Sequence, residues 1–392
     1  MAVNVMEPPR PTTALRSALR LPFDPLLALA VVGLAVCSLL AVRASSPGDL
    51  QNFYVSRQAA YFLLGLILAV LISRVDYSRL RELKYGIYTL MMGGIIAVLV
   101  FGSVSRGSRL SIEFPFFSFQ ASELGKLLLV VALAGFLVDR ARRLDERDTT
   151  ARTLLLALVP AALVMIAPDL GSATVYVVVA LALLFVAGTS WKHFAALATL
   201  AGVAVVLVLV AAPAVGVSVL EDYQTQRFTA FLNPSQDPAD AGYQQAQSQV
   251  AIGSGQKVGR GELATQTRLD FLPEARTDFI YAVVGERWGF VGAGLVLSLY
   301  ALLIWRGLRI LTMAKNLFGA LIAGGIVAMV LFQVFINVGM NVGIMPITGI
   351  ALPLMTYGGS SVISNLLAVG LLQSIYAQGR ATAARKSRVP AA

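Results

Sequence analysis

Two short stretches concentrate ionisable residues in a chain that is otherwise apolar. The first, FQASELGK, sets Glu123 and Lys126 three residues apart at the head of an apolar run. On a helix they share a face and can pair; charge at membrane depth is expensive, so the pair either fixes packing or lines a polar cavity. The second, FLPEARTDFIYAVVGERWG, holds Glu274, Arg276, Asp278, Glu286 and Arg287. Glu274 and Asp278 share a face if helical, and Asp278 runs straight into FIYAVVG, where water meets low dielectric. Such a boundary raises a carboxylate toward useful base strength, while Arg276 opposes the rise. An amphipathic interfacial helix with solvated charges accounts for the same residues without chemistry.

Other polar points lie near span ends. APDLGSA places Asp169 at a Pro-broken turn, as a helix cap or a member of a site. Gln333, Asn337 and Asn341 read as interhelical hydrogen-bonding residues. TYGGSS puts Gly358, Gly359 and Ser360 before a helix whose unpaired N–H groups suit a phosphate; a structural re-entrant loop fits equally.

Much chemistry is excluded. The chain has one His and one Cys, so a His cluster, a Cys-based metal site and a disulfide framework are ruled out. GSGQKVGRG, residues 253–261, lacks the Gly-Lys-Ser/Thr end of a nucleotide-binding loop. His193, the only base for a Ser-His-Asp triad, follows span 6 on the face opposite the polar loops. Acid–base work by carboxylates, with Arg and Lys as electrostatic stabilisers, remains.

The elements that must position these groups are membrane spans. With 57% hydrophobic and 13% charged residues in 392, the composition is that of an all-α polytopic membrane protein. About ten transmembrane helices are expected, near 25–42, 56–73, 85–102, 121–138, 153–167, 170–187, 194–217, 289–305, 317–338 and 360–376. The net charge of +10 lies mostly in short loops and tails, where it reads as topology and contact with membrane lipids, not as nucleic-acid binding. Alternate loops are basic (Arg74 to Lys84, Arg140 to Arg152, Arg306 to Lys315), so those loops and both tails, 1–24 and 377–392, are expected in the cytoplasm. The ten-helix domain spans 25–376. Its outer face then carries a short loop at 103–120, a large extracellular loop at 218–288 between spans 7 and 8, and a third loop at 339–359.

Together with FLNPSQDP…GYQQAQSQVAIGSG and NVGM…MPITGIALPLMTYGGSS, these stretches resemble the SEDS family (shape, elongation, division and sporulation). The resemblance runs in order over nearly the whole chain, and favours the family's rod-shape branch over its division branch. It implies a ten-span peptidoglycan glycosyltransferase that polymerises lipid II at the outer face of the cytoplasmic membrane. It implies as partner a class B penicillin-binding protein, the transpeptidase. The family's essential acid falls on Asp278, as general base, and its span-4 acid and lysine on Glu123 and Lys126. Lys126, Arg109 and Arg227 become candidate cations for the leaving pyrophosphate, and Asp169 and Glu274 supporting members of the cavity. A divalent cation such as magnesium is compatible with this chemistry, but no acidic cluster demands one. Several positions depart from the family pattern: Arg276 stands where relatives carry His, Arg287 where they carry Glu, Ala121 where they carry Pro, and Leu110-Ser111 where they carry Arg-Trp. The rival readings are a lipid II flippase, which wants polar groups spread through the bilayer depth, and a non-catalytic scaffold for the penicillin-binding protein.

Overall fold

The computed structural model describes residues 23–46, 48–105, 108–114, 116–208, 231, 241–269 and 271–386. The first apolar run forms α1 (Pro25–Ala44). Asp24 caps it by accepting from Leu26 and Leu27 N–H, and Pro25 takes the first turn, where its missing N–H costs nothing. There follow α2 (Gln51–Arg74), a 3-10 turn (Tyr77–Arg81), α3 (Lys84–Phe101), α4 (Ala121–Asp139), α5 (Arg147–Ile166), α6 (Leu170–Ala187) and α7 (Trp191–Val206). After residue 240 come α8 (Ala241–Ser254), α9 (Thr265–Arg268), α10 (Ile280–Met313), α11 (Leu317–Val342) and α12 (Gly359–Lys386).

Among the described residues nine helices are long and apolar enough to cross a membrane, and α7 is a shorter apolar helix. They fall on the ten expected spans, the far end of the seventh lying outside the described residues. Three features add to the sequence expectation. The eighth span is preceded by a helical stretch: α10 is helical from Ile280, and Gly289, with the non-helical φ 62° and ψ −157°, kinks it where the long membrane-crossing stretch begins, at the expected 289. A Cβ at Gly289 would overlap the backbone of residues 257–259, so both its dihedrals and its neighbours require glycine. The 103–120 segment is not an irregular loop. It forms a three-stranded antiparallel sheet of β1 (Ser103–Ser105), β2 (Ser108–Phe114) and β3 (Phe117–Phe119), in line with the alternation Leu110, Ile112, Phe114 against Arg109, Ser111, Glu113. Finally, α12 runs on through the expected tail to Lys386, over a sequence, ATAARK, of mostly good helix formers.

The helices α4, α11 and α12 are the most buried spans, while α2 and α3 are peripheral and leave Leu63, Leu66, Leu71 and Leu90 exposed. Such apolar exteriors are what a lipid solvent favours. Around the buried three, α2 packs on α12, α3 on α4, α10 on α1 and α11, and α6 on α5 and α11.

Candidate active site

Asp278, half-buried, sits in the turn that leads into α10. Its backbone carbonyl accepts from Asn337 Nδ2 and Asn341 Nδ2, each at 3.0 Å. These asparagines are one turn apart on α11 and fully buried. Asn341 Oδ1 also accepts from Ala282 N–H at 3.0 Å, and Asn337 Nδ2 reaches the Ile350 carbonyl at 2.8 Å. Ser248 of α8 closes the group from behind, donating to the Asn341 carbonyl at 2.9 Å. The 352–357 segment fastens the other side of the turn. Thr356 Oγ1 donates to the Thr277 carbonyl at 3.0 Å while accepting Leu352 N–H, and Tyr357 N–H donates to the Arg276 carbonyl at 2.9 Å. Buried polar groups satisfied this fully hold their backbone rigid.

The carboxyl of Asp278 lies beside Gly349: a Cβ built there would stand 3.8 Å from Oδ2. Across the same loop, Gly171 at the start of α6 meets Thr348 and Ile350, and a Cβ would come within 2.7 Å of the Thr348 carbonyl oxygen. Asp169 caps α6 through Ser172 N–H at 2.9 Å. Its second oxygen accepts from Ser122 Oγ at 2.9 Å and Gln120 Nε2 at 3.4 Å, at the head of α4. In that first turn Lys126 Nζ and Glu123 Oε1 pair at 2.6 Å, with 2% and 6% of their side-chain surfaces exposed. Residues 348–350 thus stand between Asp278 and the ends of α4 and α6.

Glu123 and Lys126 pair with each other, and Asp169 is bonded to the neighbouring Ser122 at the head of the same helix. Glu274, at φ 53°, accepts through Oε2 from Thr277 Oγ1 at 2.9 Å. Gly358 donates its N–H to Gln58 Oε1 at 3.3 Å. Gly359 lies against the Phe117 ring, and Ser360 Oγ donates to the Ser118 carbonyl at 2.7 Å while accepting Gln120 N–H. The latter two therefore pin α12 to β3. Arg109 occupies β2 opposite Val104; its side chain and all of Arg227 lie outside the described residues.

Glu286 is fully buried and accepts from Gln266 N–H, Thr267 N–H and Thr267 Oγ1 at 2.8, 3.0 and 2.5 Å. It caps α9 and anchors the segment before Asp278. Arg287 pairs with Glu262. Residues that sequence reasoning left outside the site, Asn337, Asn341 and Thr356, hold the Asp278 turn; the one available signal was the i, i+4 spacing of two amides at the end of an apolar span. Among the described residues no group of three or more His, Cys, Asp or Glu side chains converges on a common point. No step below is routed through a metal ion.

The FtsW/RodA/SpoVE family, described as cell cycle proteins, matches residues 20–381. The peptidoglycan glycosyltransferase MrdB of Escherichia coli is 36% identical over 354 residues, 90% of this chain and 93% of that protein. A chain from a peptidoglycan synthase complex, studied for the coordination of polymerization and crosslinking, superposes with a TM-score of 0.78 at 31% identity, covering 91% of this chain and 98% of its own. The rod shape determining protein RodA of Thermus thermophilus does so with a TM-score of 0.66 at 29% identity, covering 91% and 97%. With this match over nearly its whole length, and the same architecture, the chain belongs to the FtsW/RodA/SpoVE family.

Proposed function

We infer that this protein is a peptidoglycan glycosyltransferase that polymerises lipid II at the outer face of the cytoplasmic membrane during cell elongation, with both termini in the cytoplasm. The observation that carries the reading is the Asp278 turn. Two buried amides grip its carbonyl from α11 while its carboxyl lies at the junction of α6, α10 and the 348–350 loop. In the transfer, Asp278 takes the proton from the 4-hydroxyl of the acceptor sugar. That oxygen forms a bond to the donor's anomeric carbon, and the bond from that carbon to the polyprenyl pyrophosphate breaks. The electron pair leaves on the phosphate oxygen, where nearby cations stabilise it more in the transition state than before it. Attack opposite the leaving group inverts the anomeric centre. A class B penicillin-binding protein crosslinks the product.

The polar groups support this reading over a flippase. Glu123, Asp169, Asp278, Asn341 and Ser360 all stand at or near helix ends that meet around 348–360, instead of forming a track through the bilayer depth. The test is polymerisation of lipid II by purified protein. Asp278→Ala is expected to lose at least about a hundredfold in rate with an unchanged melting temperature; glycan chains made at the wild-type rate would refute the assignment.

A further inference from the structure

Of the cations expected to meet the pyrophosphate, Lys126 is the one whose side chain is described. Lys126 is already neutralised by Glu123 in a nearly inaccessible pair. Arg276 is placed differently. Its guanidinium stacks on the Tyr54 ring of α2, 4.3 Å from the centroid, and its Nη1 is buried with no hydrogen-bond partner among the described residues. Its backbone is fixed by Tyr357 N–H, and it lies two residues from Asp278. The aromatic wall continues from Tyr54 to Tyr357, whose ring centroid lies 5.3 Å away. Burial pushes the Tyr357 phenol up, with Tyr61 adding to the rise and Arg57 opposing it, so this neighbour supplies no anion to the guanidinium at neutral pH. Arg57 stacks on Phe53 in the same cluster. Beside the wall, Gly358 has open space where a Cβ would point.

A buried, unfilled N–H on an ion costs free energy unless a ligand fills it. Stacking holds the guanidinium plane still, and its fork of donors matches two phosphate oxygens better than a point charge does. A carboxylate partner would have left a salt bridge, and none to Arg276 exists among the described residues.

We propose that Arg276, held on Tyr54, binds a phosphate of the polyprenyl-pyrophosphate substrate and stabilises the leaving group beside Asp278. The proposal rests on the glycosyltransferase reading above. The same phosphate chemistry could come from an anionic lipid headgroup, so the experiment separates the two.

The full chain is reconstituted in nanodiscs of phosphatidylcholine alone or with phosphatidylglycerol, and its affinity for inorganic pyrophosphate is measured together with kcat and KM for lipid II. Arg276→Ala is expected to weaken pyrophosphate binding by about tenfold or more and to lower kcat, with Arg276→Lys and Tyr54→Leu in between. Asp278→Asn should abolish polymerisation yet bind pyrophosphate as wild type does. Equal pyrophosphate affinity in wild type, Arg276→Ala and Arg276→Lys, each with wild-type melting behaviour, would overturn the proposal. So would a wild-type dependence on phosphatidylglycerol that Arg276→Ala removes while pyrophosphate binding stays intact. Polymerisation by Asp278→Asn at the wild-type rate would sink the glycosyltransferase assignment of Asp278 instead, leaving the binding result to stand separately.

Discussion

The proposed role of Asp278 as base requires its backbone to stay in place while the proton moves, and amides from another helix hold it there. Asn337 and Asn341 use four of their polar contacts on the Asp278, Ala282 and Ile350 backbone, and the carboxyl lies beside Gly349 of the 348–350 junction. Catalytic geometry is sensitive to displacements of about 1 Å, which makes these asparagines positioning residues. The Glu123–Lys126 pair belongs to a different balance. Both charges are out of solvent and satisfy one another, so removing one strands the other. Glu123→Gln or Lys126→Met alone is expected to cost about 3–5 kcal/mol, whereas the double variant should recover most of that. Thermal unfolding of all four proteins in detergent measures the coupling, and simple additivity of the two losses would show that the pair is not coupled.

Among the elements, α10 shows how one residue sets a boundary that apolar composition does not. Its first stretch carries Glu286 inward to cap α9, and its long stretch crosses the membrane; Gly289 lets the two meet while the 256–259 backbone lies directly against it. Phe290 and Val291 N–H donate across this contact to the carbonyls of Gln256 and Lys257, at 2.8 and 3.1 Å. Gly289→Ala is therefore expected to lose about 3 kcal/mol or more through both strain and overlap. Gly294→Ala, five residues on with nothing within 4 Å of its Cβ, should be neutral or stabilising by up to about 1 kcal/mol. A fluorescence melting comparison of the two variants decides it. The sheet β1–β3 matters for a related reason: Ser118 and Phe117 receive Ser360 and Gly359, so this small sheet sets the height at which α12 begins.

At the scale of the whole molecule, the end remote from the candidate site is closed by its own buried charge. Asp24 is inaccessible; it caps α1, pairs with Arg306 of α10, with Nε at 2.9 Å, and its backbone is bracketed by Gln373 of α12. One residue, through carboxylate and backbone together, thus ties three helices that are far apart in sequence. Asp24→Ala, which removes both the cap and the partner of a mostly buried guanidinium, is expected to cost about 3–5 kcal/mol. Melting temperature and detergent-resistant folding should fall together, while the Asp278 turn in the surviving folded fraction keeps its activity per molecule. The spans, the basic alternation of loops and the concentration of carboxylates near 274–286 were legible in the sequence, because hydropathy and charge act through local composition. Asp169 as a cap was legible for the same local reason. The tertiary partners were not: that Asn337 and Asn341 hold the Asp278 carbonyl, that Ser360 serves β3, that Glu286 caps α9 and that Arg276 stacks on Tyr54 each depend on segments from about twenty to more than two hundred residues apart meeting at one face. A hydrogen bond requires donor and acceptor within about 3 Å. Composition and spacing determine which groups a chain carries to the membrane boundary; only the packed helices bring particular pairs within that distance, and so decide that Glu286 is buried as a cap while Asp278 stands beside the 348–350 junction.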